Sequence, residues 1–145
     1  MKTIVKNILL VDDSVNDVTL IKAAFADANF GNDIIVAEDG VEALDFLYHR
    51  GKFADYTGCK PIFILLDIKM PLMNGIEVLK IIRSDPEFNL VPIIMLTSSA
   101  DTHDLQDCYD SGANSFVVKP VNVSSFMHVV KELGKYWVII NELPT

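Results

Sequence analysis

Four short stretches carry side chains whose types can share one chemistry: Asp12-Asp13, Asp67, Thr97-Ser98-Ser99 and Lys119-Pro120 each follow an apolar run. Carboxylates such as Asp13 and Asp67 are hard oxygen ligands of the kind that suit Mg²⁺, which takes few carboxylates and keeps waters or phosphoryl oxygens in its octahedron. A pocket of acids alone repels an anion. With the metal and the Lys119 ammonium offsetting charge, a phosphoryl group can approach Asp67 in line while the Thr97 hydroxyl donates to one of its oxygens. Asp67 then serves as a nucleophile and forms an acyl phosphate.

Residues so far apart in sequence need a scaffold that brings them together. Strand-like apolar runs occur at Asn7 to Val11, Asp33 to Ala37, Pro61 to Leu66, Val91 to Leu96 and Ser115 to Val118. Helical patterns lie between and after them. Ser14 is a plausible N-cap for a helix whose stripe is Val18, Ile21, Phe25 and Ala28, and the others fit Gly40 to Tyr48, Gly75 to Arg83, Asp101 to Asp110 and Asn122 to Asn141. Strand and helix alternate five times, and the strands are too apolar to face water. A parallel sheet covered by helices on both faces is expected, an α/β doubly wound fold. In such a sheet ligands bind at the carboxyl ends of the strands, where all four stretches lie. The segment from Arg50 to Lys60 is long for an αβ loop and reads as a tolerated insertion or a surface excursion that binds something.

Composition narrows the classes. A chain of 145 residues suits one domain with a real core, expected to span 1–145 with no attached effector domain, residues 122–141 forming an extended last helix. No apolar stretch approaches the ~18 residues of a membrane span, and nothing resembles an export signal. The two cysteines, Cys59 and Cys108, form no ligand spacing with the histidines, which suits a reducing cytoplasm. A formal charge of −8 argues against binding nucleic acid.

Taken together, LLVDDS, LLDIKMPLMNG, IIMLTSS and FVVKP resemble the receiver domain of two-component response regulators, from Asn7 to about Leu133. The resemblance implies a five-stranded flavodoxin-like sheet in the order 2-1-3-4-5 with five helices. It implies that Asp67 is the phosphoacceptor, that Asp12 and Asp13 organise Mg²⁺ with Asp67 and the backbone carbonyl of Lys69, and that Lys119 contacts the phosphoryl group. Thr97 matches the switch hydroxyl and Phe116 the switch aromatic. A cis bond before Pro120 is also implied. Lys69 and Ser99 depart from the commonest pattern at positions that flank the phosphoryl group. The resemblance further implies a sensor histidine kinase as partner. The long loop and extended last helix are similar to those of stand-alone receivers that serve phytochrome kinases.

Ordinary roles compete with each of these. Asp12-Asp13 can cap a helix, Asp67 can form a turn before Pro71, Thr97 can cap, Lys119 can be a solvated charge and Phe116 core. Joint placement at strand ends favours chemistry. A phosphatase with an aspartyl nucleophile needs a second acid two residues on, where Lys69 and Ser14 stand. A flavodoxin-like binder needs a glycine- and hydroxyl-rich phosphate loop in place of Asp-Asp-Ser-Val-Asn. A phosphorylation-independent interaction module of the same fold stays open. In the last helix Trp137 to Ile140 is apolar all round, more than one sheet face can cover. That excess and the family's habit of pairing through the fourth helix, fifth strand and fifth helix predict a homodimer contacting through Phe126, Val130, Leu133, Trp137 and Ile140.

Overall fold

The structure, a computed structural model, describes residues 6–98 and 101–142; Ser99 lies outside them. Among the described residues five strands form one parallel sheet: β1 (Ile8–Val11), β2 (Ile34–Ala37), β3 (Phe63–Leu66), β4 (Ile93–Thr97) and β5 (Ser115–Val118). The strand order is β2-β1-β3-β4-β5. Five helices alternate with them: α1 (Val15–Ala28), α2 (Gly40–Leu47), α3 (Gly75–Ser84), α4 (Thr102–Asp110) and α5 (Val123–Gly134). This is the expected doubly wound architecture.

Local chemistry sets the helix starts. Ser14, Asp39, Asn74 and Asn122 each accept a backbone N–H from their own first turn, and Asn74 pairs with Glu77 in a full capping box. Every residue of β1, β3 and β4 is buried, as strands of a sheet covered on both faces must be. Alternate residues point to two separate cores. One holds Leu9, Val11, Ile64, Leu66, Ile93 and Met95 beneath α2, α3 and Cys108 of α4. The other holds Ile8, Leu10, Phe63, Leu65, Ile94 and Leu96 against α1 and α5.

The long α2–β3 loop is anchored rather than loose. It contains a 3₁₀ turn at Gly51–Phe53, and the Phe53 and Tyr56 rings lie 5.2 and 4.7 Å from the Phe46 ring. Beside it a cleft of about 440 Å³, lined in part by Tyr48, Cys59 and Phe88, sits at the opposite end of β3 from Asp67.

The last helix runs to Ile140, close to the expected 122–141, but changes its winding. After Gly134 the chain continues as a π-helical stretch, Lys135–Ile140, closed by Asn141 N–H donating to the Tyr136 carbonyl. The wider winding lets Trp137 and Val138 pack on the α1 and α5 core while Tyr136, Ile139 and Ile140 stay exposed. Phe126, Val130 and Leu133, expected at a dimer contact, face inward instead. They are 3%, 0% and 8% exposed, because the stripe they form is the one α5 turns to its own sheet and to α1. Gly134 marks how close that packing is: a Cβ there would stand 2.6 Å from both the Phe25 and Phe30 rings.

The cysteines differ in the same way. Cys59 is exposed and Cys108 fully buried, where burial, with Asp104 and Asp107 nearby, pushes its thiol up to about 11. At pH 8 a thiol reagent is expected to titrate one equivalent in the native protein and the second only after denaturation. Two equivalents reacting at equal rates would contradict this packing.

Candidate phosphoacceptor site

Each strand that ends in a functional residue carries it one step beyond the sheet, still tied to its neighbour. Asp12 N–H donates to the Ala37 carbonyl (3.0 Å), Asp67 N–H to that of Val11 (3.0 Å) and Lys119 N–H to that of Thr97 (2.6 Å). The ladder therefore fixes the Cα of Asp12, Asp67 and Lys119 before any side-chain contact forms. Asp12 Oδ1 also accepts from Ser14 N–H at 2.9 Å, which turns the chain into α1 and aims Oδ2 at the crevice.

The three acids meet. Asp12, Asp13 and Asp67 each offer a carboxylate oxygen within 4.8 Å of the others, Asp12 and Asp67 buried and Asp13 exposed. Hard oxygen donors at this spacing, one side open to water, suit a divalent cation. Behind Asp67 the chain turns tightly: Gly75 N–H donates to the Ile68 carbonyl at 2.7 Å, and a Cβ on Gly75 would stand 2.1 Å from the Asp67 carbonyl oxygen. Only glycine lets α3 begin there. In the same loop Leu72 is 83% exposed and adopts φ +70°, a conformation costly for a side chain of its size.

Lys119 bridges the acids. Its Nζ lies 2.9 Å from Asp12 Oδ2, 2.8 Å from Asp17 Oδ2 and 3.5 Å from Asp67 Oδ2, with the side chain 8% exposed. Burial by itself would lower the lysine's pKa; the bonds to Asp17 and Asp12 outweigh it and raise the pKa above its ordinary value. Asp67 goes the other way. Burial pushes its carboxyl up to about 6, helped by the Asp12 charge and only partly opposed by Lys119.

That shift has a sign. In the cation-free protein folded Asp67 holds its proton up to about pH 6, whereas an unfolded one releases it near 4. Between those values the folded state binds more protons, so stability from this group falls as pH rises from about 4 to 6. Asp67→Asn is expected to stabilise the cation-free protein at pH 7 by up to about 3 kcal/mol and to flatten that part of the pH profile. A variant melting below wild type would contradict this reading.

Thr97 closes β4, is 1% exposed, and by alternation shares the Met95 face of the sheet. Phe116 pairs in register with Met95 and packs, half-buried, on that same core, so the proposed hydroxyl and aromatic stand on one face. Lys69 is exposed. The expected cis bond before Pro120 is absent: no peptide among the described residues is cis. The Lys119 N–H extends the β4–β5 ladder, and the bond that follows it to Pro120 is trans. Asp17 was not singled out in the sequence. Its only signal is its place in the first turn of α1, four residues after Asp13, which reads equally well as an acid favourable to the helix dipole.

The comparisons agree with this geometry. Residues 8–131 match the response regulator receiver domain. The response regulator Rcp1 of Synechocystis sp. is 30% identical over 139 residues, covering 96% of this chain and 93% of Rcp1. A solved structure of the phosphorylated cyanobacterial phytochrome response regulator RcpA superposes with a TM-score of 0.91 at 32% identity, covering 98% of this chain and all of that one. The Mn²⁺-bound form of Rcp1 gives 0.89 at 29% identity, covering 97% and 99%. With its strand-end acids, its buried lysine and its strand order all accounted for, the chain belongs to the response regulator receiver domain family.

Proposed function

We propose that this protein takes a phosphoryl group from a sensor histidine kinase onto Asp67 and passes the signal on through altered protein contacts. The observation that carries this reading is the convergence of three carboxylates and one buried ammonium on the end of β3. An Asp67 oxygen attacks phosphorus in line, the P–N bond of the kinase phosphohistidine breaks, and the imidazole nitrogen keeps the electron pair. Asp12, Asp13, Asp67 and the Lys69 carbonyl would hold Mg²⁺, which supplies charge neutralisation for the incoming phosphoryl oxygens. Lys119 stabilises the same oxygens, and the Thr97 hydroxyl draws one of them toward β4, freeing room for the Phe116 ring to turn inward. In this role the protein assists its own phosphorylation and dephosphorylation.

A phytochrome-type kinase as donor is supported by the similarity to RcpA and Rcp1 along nearly their whole length. The bound Mn²⁺ in Rcp1 supports a divalent cation here. A homodimer through α4, β5 and α5 would rest on exposed Leu105, Tyr109, Val118, Ile139 and Ile140 rather than on the buried stripe of α5.

The test is direct. Incubation with acetyl phosphate and Mg²⁺, followed by borohydride trapping and peptide mapping, is expected to place a single acyl phosphate on Asp67. No label in wild type, or equal label in Asp67→Asn, would sink the proposal.

A further inference from the structure

Asp17 makes the shortest of the three ion pairs of Lys119, 2.8 Å against 2.9 Å for Asp12 and 3.5 Å for Asp67. Asp67, the group to be modified, holds the ammonium most loosely. Asp17 is held by α1: its N–H donates to Ser14 Oγ at 3.2 Å, and its side chain is 29% exposed against 2% for Asp12. It reaches Nζ from the wetter side of the pocket.

We propose that Asp17 is a holding carboxylate, a positioning residue that keeps the Lys119 ammonium on the α1 side of the pocket while Asp67 is unmodified and releases it when the phosphoryl group arrives. This rests on the phosphoacceptor reading of Asp67. An ammonium has three N–H donors, and here three carboxylates take them. A phosphoryl oxygen can engage Lys119 only by displacing one of those acceptors. Asp67 is itself the group that is modified, and Asp12, 2% exposed, cannot exchange the ammonium for water. Asp17 can be rehydrated at little cost, so it is the partner that gives way.

The exchange makes Asp17 a competitor, and its removal should help. A partly exposed pair of this kind contributes under about 1 kcal/mol, so Asp17→Asn is expected to raise the phosphorylation rate with phosphoramidate and Mg²⁺ by roughly two- to fivefold. Loss of a negative charge would also attract an anionic donor, so the variant is compared in a Lys119→Met background. There the acceleration should vanish, because no ammonium is left to hold. A second readout needs neither metal nor turnover: in EDTA, the ¹⁵N ammonium resonance of Lys119, assigned by its loss in Lys119→Arg, should shift in Asp17→Asn and stay put in Asp27→Asn, which removes the partner of Lys131 instead.

An unshifted resonance, an unchanged or slower rate in Asp17→Asn, or equal acceleration in the Lys119→Met background would each overturn the holding role. A wild-type protein that takes no label overturns the phosphoacceptor reading itself. A labelled wild type with an unaccelerated Asp17→Asn overturns only the role of Asp17.

Discussion

Lys119→Met is expected to lower the stability of the cation-free protein by about 3 kcal/mol at pH 7 and to slow phosphorylation of Asp67 by about a hundredfold. The stability loss follows from what remains. Methionine fills much of the same space, but Asp12 and Asp67, 2% and 9% exposed, then face Asp17 with no cation among them. Breaking a buried ion pair from one side costs about 3–5 kcal/mol, and the access of Asp17 to water brings the figure to the lower end. The loss should shrink as pH falls and the carboxylates take up protons. Adding Mg²⁺ should restore more stability to the variant than to wild type, since a divalent cation at the acid cluster replaces the missing charge. Thermal melts in EDTA with and without added Mg²⁺ read both effects; a variant that melts with wild type in EDTA would show that the ammonium is not what keeps the acids together.

The other large effect concerns α5. Val130→Asp is expected to unfold the protein outright, because Val130 is fully buried between the sheet and α1 and offers a carboxylate neither water nor a cation. An unpaired buried charge costs more than about 4 kcal/mol, a large part of the roughly 5–15 kcal/mol that holds a domain together. Ile140→Asp, at a position 54% exposed, should leave the melting temperature nearly unchanged. Circular dichroism separates the two, and sedimentation of the folded Ile140→Asp protein then reports on self-association without a folding artefact. A folded, cooperative Val130→Asp would mean that α5 does not pack as described.

These two positions show where the sequence was legible. The run Ile62 to Leu66 is apolar without alternation and stops at Asp67, so both the buried strand and the carboxylate at its tip could be read from it, and the same held for Asp12 after Val11. Period and composition carry that information locally. The stripe Phe126, Val130 and Leu133 was equally visible, but a stripe does not name what covers it. Here α1 does, through Phe25 and the close approach at Gly134, and that depends on contacts more than a hundred residues apart. Asp17 escaped for a related reason. An acid in a first helical turn is unremarkable until the fold brings Lys119 to it across the sheet.

On the proposed reading, the two cores would divide the consequences of one chemical event. Thr97 and Phe116 belong to the face under α2, α3 and α4, while α1, which carries Asp17, packs on the opposite face with α5. The buried strands between them are a partition. A phosphoryl group on Asp67 that claimed both the Thr97 hydroxyl and the Lys119 ammonium, as proposed, would speak through two separate channels, one to each side of the sheet. A substitution on one face would then silence one channel and leave the other audible, so that partners reading opposite faces would receive different messages from the same phosphate.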